Sequence, residues 1–305
     1  MNFKLFACAA VAVATVAIAG QASAQATITD AGNGYAVGVS ASGALYNGAD
    51  GTGFRRLSDG YDPIQPGTPR DSWGVSAGGS SAWSDPQFYG DSGITSSGLV
   101  AGANSAMGTT VTDFGLTVVQ NYSFIDGNIL RIDTSVTNTT AGALSDVLFQ
   151  HNVDWDIDPT ATEESIFGPS GSSYLVVEGS NYGFENPDPS QPYLFGCLAD
   201  CNAGPGDLGA GIRINLGSLV SGATRRFTYF YGVSASGQTP ANLVAQGHAA
   251  GAQFIIAGSS NNSDGPDNSA FIGVASVPEP ATWAMLILGF FGLGSALRRR
   301  RAVVA

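Results

Sequence analysis

Alternation of apolar and polar positions is strongest in the middle of the chain and predicts β-strands there. Two such runs, Leu116 to Phe124 and Ile129 to Asn138, flank Asp126-Gly127, a pair that favours a type I′ hairpin turn. In the second run, even-numbered residues from Ile132 onward form one face, and the odd-numbered face is largely polar. This pattern predicts a sheet with one side towards solvent.

The longest alternation covers Asp146 to Ile157. Odd-numbered positions are apolar apart from His151, and the even-numbered positions from 150 onward are polar. A period of two over twelve residues predicts a strand. We interpret His151 as a buried structural histidine, with a catalytic base as the less favoured alternative.

Shorter runs complete a predicted all-β fold. We expect one or two strands within Thr27 to Tyr46, and long loops with short strands from Asp50 to Gly108. Thr239-Pro240 predicts a capped start for a helix over Ala241 to Ala250. The fold class is therefore an antiparallel β-sandwich-like ectodomain with one short helix. The remaining predicted strands are Tyr174 to Glu178, Ala210 to Leu216, Arg226 to Val233, Phe254 to Ala257 and Ala270 to Val274.

The first 24 residues have the pattern of a secretory signal peptide. Lys4 precedes an apolar stretch from Leu5 to Ile18, and Ala22 and Ala24 form an A-x-A cleavage site before Gln25. We therefore expect export through the Sec machinery and a mature chain that begins at Gln25.

The end of the chain has three ordered parts. Pro278-Glu279-Pro280 precedes an uncharged apolar stretch over 281–297, and Arg298, Arg299, Arg300 and Arg301 follow it. The apolar stretch is at the short limit of a membrane-spanning helix. Clustered arginines remain on the cytoplasmic side of a membrane. The body of the chain is therefore expected outside the cytoplasm, anchored through this helix before any processing.

These three parts resemble the PEP-CTERM sorting signal of Gram-negative bacteria. Trp283 and Ala284 match its P-E-P-x-x-W-A variant within 278–285. The resemblance implies recognition by an exosortase, a membrane transpeptidase that would cleave near Pro278 to Pro280. It also implies an inner-membrane precursor that is later delivered to the cell surface, the extracellular matrix or exopolysaccharide. A plain membrane anchor is the alternative. The expected organisation is a signal peptide at 1–24, a β-rich body at 25–276 and a sorting signal at 277–305.

Charge and composition exclude several functions for the body. The chain has 24 acidic and 12 basic residues, and Lys4 and the terminal arginines account for five of the basic ones. The body thus has seven arginines, no lysine and a strongly negative net charge. Nucleic acids and anionic membranes bind through basic patches, so neither is an expected partner of the body. Schiff-base chemistry is excluded because no lysine is available.

Two cysteines remain after removal of the signal peptide, Cys197 and Cys201. An exported protein meets an oxidising compartment, which favours a disulfide over a metal or redox pair. The C-x-x-x-C spacing is not that of the redox motif. So small a loop would restrain only a local segment.

The densest acidic cluster gives the one metal hypothesis. Asp154, Asp156 and Asp158 would share a strand face, and oxygen ligands suit calcium. A solvated acidic strand edge is the alternative, and the EF-hand pattern fails because Pro159 occupies the glycine position. No other cofactor is indicated.

Sequence motifs do not point to an enzyme. The chain lacks G-x-S-x-G, H-E-x-x-H and phosphate-binding glycine patterns, and it contains only two histidines. We therefore assign no catalytic residue and expect a non-catalytic body. One alternative is a carbohydrate-binding module that uses loop aromatics such as Trp73 and Trp83. The other is a polysaccharide-active enzyme that uses acidic residues near Asp154.

Overall fold

The computed structural model describes residues 22–23, 25–65, 70–169, 171, 176–197, 199–261 and 268–275. No helix within these ranges is long and apolar enough to cross a membrane. The apolar helix predicted over 281–297 and most of the predicted signal peptide lie outside the described residues.

Strands make up most of the described chain, together with one short helix, α1 (Pro240–Ala249). The strands are β1 (Ala22–Ser23), β2 (Gln25–Asp30), β3 (Tyr35–Ser40), β4 (Phe54–Arg56), β5 (Arg70–Ala77), β6 (Ser80–Ser84), β7 (Ile94–Ala101), β8 (Ser105–Thr112), β9 (Leu116–Phe124), β10 (Ile129–Asn138), β11 (Leu144–Asp154), β12 (Glu164–Phe167), β13 (Val176–Ser180), β14 (Ala203–Gly206), β15 (Gly209–Leu219), β16 (Thr224–Val233), β17 (Ala252–Ser259) and β18 (Ser269–Ala275). This composition confirms the all-β class.

The strands of the described residues form three antiparallel sheets. The largest has the order β1-β7-β8-β9-β10-β16-β18-β17-β12-β14, the second β13-β15-β11-β5-β6, and the third β2-β3-β4. Phe149 of β11 contacts Phe227 and Tyr229 of β16, with ring centroids 4.9 and 5.9 Å apart. The first two sheets therefore pack face to face around a shared aromatic core, as in a β-sandwich.

The predicted hairpin is present with the predicted bounds. β9 and β10 pair antiparallel, with Leu130 opposite Phe124. Gly127 in the connecting turn has a φ of +66°, a conformation that glycine adopts without steric cost. Asp126 does not have a positive φ, so the predicted type I′ turn, which needs positive φ at both residues, is wrong. Along β10 the even-numbered residues are buried and the odd-numbered residues from Arg131 onward are more exposed, so the face assignment is confirmed.

The helix also follows its predicted capping. The Thr239 side chain accepts a hydrogen bond from the backbone N–H of Asn242, and Pro240 occupies the first turn. Leu243 is buried in a small cluster that includes Phe271 and Phe230. The helix thus packs against β16, β18 and β17 of the largest sheet.

Two strand expectations need correction. The segment from Asp50 to Gly108 contains four strands and the start of a fifth, β8, and three of these five strands have eight residues each. Moreover, β11 ends at Asp154, so Trp155, Asp156 and Ile157 lie beyond the strand that the alternation predicted.

Candidate functional site

The polar face of β11 is covered rather than exposed to solvent. Gln150 and Asn152 are fully buried beneath a segment that spans residues 181–193. Gln150 donates to the carbonyl of Asn186 at 2.6 Å, and Asn152 accepts from the Tyr193 hydroxyl at 3.2 Å. This covering segment therefore binds the outer face of the second sheet through polar side chains of β11.

Glycines in the sheet allow the covering segment to approach closely. A Cβ atom at Gly74 of β5 would overlap the carbonyl oxygen of Pro187. A Cβ atom at Gly209 of β15 would overlap the backbone of Gly183. Any larger residue at either position would displace the segment, so these glycines determine how closely it lies to the sheet.

A fully buried ion pair lies where the covering segment meets the end of β5. Arg70 and Asp85 are both 0% exposed, and the Arg70 guanidinium is 2.9 Å from the Asp85 carboxylate. Arg70 also donates to the carbonyl oxygens of Gly183 and Glu185, at 2.6 and 2.5 Å. Burial raises the pKa of Asp85, and the charge of Arg70 opposes that shift. Arg70 therefore links the covering segment to the loop after β6.

Five aromatic side chains form a continuous row on the surface above this ion pair. In order they are Tyr89, Phe88, Phe184, Tyr182 and Phe195, with neighbouring ring centroids 4.9, 5.3, 5.8 and 4.7 Å apart. Neighbouring ring planes are inclined by 52–79°, so no neighbouring pair is stacked face to face. Phe88, Tyr89 and Phe195 are 52, 46 and 56% exposed. We call these five residues the aromatic surface.

The Arg70 guanidinium supports three of these rings from below. Its central carbon lies 5.3, 5.1 and 5.5 Å from the ring centroids of Phe88, Tyr89 and Phe184. Asp85 accepts the backbone N–H of Phe88 at 3.1 Å. Cation–π contacts and this hydrogen bond therefore hold the exposed rings in defined positions.

The opposite end of the aromatic surface is held by Glu185 and by a disulfide. The buried Glu185 carboxylate accepts the backbone N–H groups of Leu194 and Phe195, at 2.7 and 2.8 Å. Cys197 and Cys201 form a disulfide with their Cα atoms 5.0 Å apart, which confirms the predicted pairing. Phe195 is thus fixed by hydrogen bonds and lies two residues before a covalent link.

Asp154 lies in the same region, opposite Arg70 in the pairing of β11 with β5. It is 4% exposed, and its Oδ1 has no hydrogen-bond partner within the described ranges. Burial, reinforced by the charges of Asp207 and Asp156, raises the pKa of Asp154 to about 8. This carboxyl group is therefore mainly protonated at neutral pH, when it can donate a hydrogen bond.

A second buried pair lies on the inner face of the same strands. His151 Nε2 is 2.6 Å from Asp71 Oδ2, and both side chains are fully buried. Asp71 also accepts the backbone N–H of Leu45, and the His151 ring lies 5.0 Å from the Tyr229 ring. His151 is therefore a structural residue of the sandwich core, as its apolar face indicated.

The other candidate residues fall in different places. Trp73 is fully buried and donates to the carbonyl of Ser42, so its proposed contact with sugars is wrong. Trp83 is only partly buried but does not belong to the aromatic surface.

The geometry assumed for the calcium hypothesis is not found. Asp154 and Asp156 are buried, Asp158 is exposed, and only Asp154 belongs to β11. Within the described residues, no group of three or more His, Cys, Asp or Glu side chains is placed to hold a metal ion. The premise of one shared strand face is therefore wrong.

Sequence reasoning missed the residues that build the aromatic surface. Phe88 and Tyr89 lie in the segment that was expected to consist of long loops and short strands, and Arg70, Phe184 and Phe195 belong to no motif. The covering segment reads as a Pro-rich loop, and the ring contact between Phe88 and Phe184 joins residues 96 positions apart. The one available signal was Arg70, an isolated arginine at the start of β5 in a body that has no lysine.

Comparison with known protein families identifies one region of the chain. Residues 276–301 match the model of the PEP-CTERM protein-sorting motif. No curated protein matches the chain. The motif implies an exported, membrane-anchored precursor that is processed by an exosortase. The protein is thus one that carries a PEP-CTERM sorting motif, and the family of its body is not identified.

Proposed function

We propose that the protein is a cell-surface or exopolysaccharide-associated protein whose body is non-catalytic and is delivered after exosortase processing. The match of residues 276–301 to the sorting motif carries this proposal. Before processing, the apolar stretch over 281–297 would anchor the precursor in the inner membrane. The A-x-A site before Gln25 supports prior export.

The body's chemistry supports a non-catalytic role. Both members of the His151–Asp71 pair are fully buried, so neither contacts a bound substrate. Asp154 is almost fully buried, although its raised pKa would suit a general acid.

Mass spectrometry of the native protein tests the sorting step. We expect the mature form to begin at Gln25 and to lack Trp283 and the terminal arginines. A strain without the exosortase should retain both. Glu279→Ala should block processing in the wild-type strain, and Val303→Ala, outside the matched residues, should not. An intact C-terminus in both strains would show that the C-terminal segment is a plain membrane anchor.

A carbohydrate-binding body is the second candidate function. The aromatic surface favours it, because exposed ring faces can stack on the apolar faces of sugars. The binding residues would then be those of the aromatic surface, in place of Trp73 and Trp83.

A further inference from the structure

We propose that the aromatic surface binds an extended, uncharged polysaccharide. This inference rests on the second candidate function and does not depend on exosortase processing. It assigns the ligand class and the residues that contact it.

The distances between neighbouring rings are similar to the size of a sugar unit. Neighbouring centroids along the row are 4.7–5.8 Å apart, which is close to the length of one hexose unit in a chain. The C–H bonds on a hexose face can lie against the electron-rich faces of such rings. Because neighbouring rings are inclined by 52–79°, a sugar chain would meet both ring faces and ring edges, mainly at the exposed Phe88, Tyr89 and Phe195.

Buried ionic groups hold this surface in place before any ligand binds. Arg70, Asp85 and Glu185 are all fully buried, and each contacts a ring or a backbone group of the aromatic surface. Burial of charged groups is costly, and such a cost is typical of sites that require fixed geometry. Pre-organised rings lose little conformational entropy when a ligand binds.

The surrounding charge determines which polymers can bind. The exposed Asp91 follows Phe88 and Tyr89 in the same loop, and the exposed Asp207 lies near Asp154. Carboxylates accept hydrogen bonds from sugar hydroxyls. They repel uronate and sulfate groups, nucleic acids and anionic membranes. The ligand is therefore rich in hydroxyl groups and carries no negative charge.

The size of the surface argues against a second protein molecule as the occupant. Its exposed apolar area, including Leu194, which is 70% exposed, is on the order of 400 Å² if Phe88, Tyr89 and Phe195 each present about half of their surface. A stable protein interface buries about 800 Å² on each partner. One polysaccharide strand needs only a narrow row of contacts.

Affinity electrophoresis of the purified full-length protein in detergent tests the proposal. The gels contain dextran, mannan, xylan or galactan, with anionic alginate and sugar-free polyvinylpyrrolidone for comparison. We expect at least one neutral polysaccharide to slow the protein, and alginate and polyvinylpyrrolidone to have no effect.

Variants test the role of the rings. The Phe88→Ala/Phe195→Ala substitutions should raise the Kd for the polysaccharide at least about tenfold. Phe88→Trp should bind much as the wild type does. Val220→Ala removes an exposed apolar side chain elsewhere and should bind normally.

Several outcomes would overturn the proposal. They are no retardation by any neutral polysaccharide, equal retardation by alginate, or unchanged binding by the double alanine variant. Ring-dependent dimerisation in sedimentation, or ring-dependent binding to phosphatidylglycerol vesicles, would assign the surface to a second copy or a membrane instead. Release of oligosaccharide from the bound polymer would show an enzyme rather than a binding protein. Mass spectrometry of the same preparation reports exosortase processing separately. A failure of the sorting proposal can therefore be distinguished from a failure of the binding proposal.

Discussion

Arg70 and Asp71 are neighbours in β5, yet they serve two different regions. Side chains alternate between the faces of a strand, so Asp71 enters the sandwich core and Arg70 the outer face. In the core, Asp71 pairs with His151 and neither contacts solvent. On the outer face, Arg70 pairs with Asp85 beneath exposed rings. Both pairs are thus fully buried. The pair in the core stabilises packing, and the pair on the outer face holds exposed rings in position.

The largest expected effect is the loss of Arg70. Arg70→Met leaves Asp85 buried without its cation and removes the donors to Gly183 and Glu185. We expect the free energy of unfolding to fall by about 3–5 kcal/mol, measured by urea denaturation, and polysaccharide binding to be lost. Arg131→Met is the matched control. Its pair with Asp133 is nearly half exposed, so the loss should be about 1 kcal/mol or less. Equal losses would show that the two pairs do not differ in importance.

The pH dependence of stability should report Asp154. Its folded pKa of about 8 lies above its unfolded value, so the folded state holds a proton that the unfolded state loses. The contribution of this proton to the free energy of unfolding is fully present below about pH 4 and is lost as pH rises towards 8. Relative to its effect at pH 5, Asp154→Asn should stabilise the protein at pH 8 by roughly 2–4 kcal/mol. Parallel pH profiles for the two proteins would contradict this assignment.

Removal of the core pair should destabilise the fold without affecting the aromatic surface. His151→Leu leaves Asp71 with the backbone N–H of Leu45 as a partner. The expected loss is about 1–3 kcal/mol, with unchanged retention on polysaccharide gels. His248→Leu, which removes a contact with the Ala252 carbonyl, should cost less. Loss of binding in His151→Leu would mean that the two faces are coupled.

The disulfide should have the smallest effect on stability. Its loop of five residues restricts little of the unfolded chain, so Cys197→Ser/Cys201→Ser should cost about 2 kcal/mol or less. Binding should weaken, because Phe195 lies two residues before Cys197. Non-reducing peptide mapping verifies the link in the wild type. A loss as large as that of Arg70→Met would assign the disulfide a global role.

Local patterns were reliable where one face of a strand is buried and the other is exposed. The hairpin of β9 and β10 has its predicted bounds because Asp126-Gly127 specifies the turn and alternation specifies the faces. The capped start of α1 follows from Thr239 and Pro240 for similarly local reasons. Each of these features depends on neighbours within about ten residues.

Patterns misled where a distant segment supplies the second layer. β11 reads as a half-buried strand, but residues 181–193 cover its polar side and bury Gln150 and Asn152. The calcium hypothesis assumed that Asp154, Asp156 and Asp158 lie on one strand face, whereas β11 ends at Asp154. Alternation reports the chemistry of each face and not what packs against it.

By itself, the sequence determined the all-β class, the hairpin, the disulfide pair and the sorting motif at residues 276–301. These depend on periodicity, on turn and capping residues, and on contiguous motifs. Only the tertiary structure decided that Arg70 lies beneath Phe88, Tyr89 and Phe184, and that Glu185 holds Phe195. The contact between Arg70 and Phe184 joins positions 114 residues apart, and its geometry depends on the close approach that Gly74 and Gly209 allow. Such an approach depends on the shape of two surfaces together, which no local pattern records.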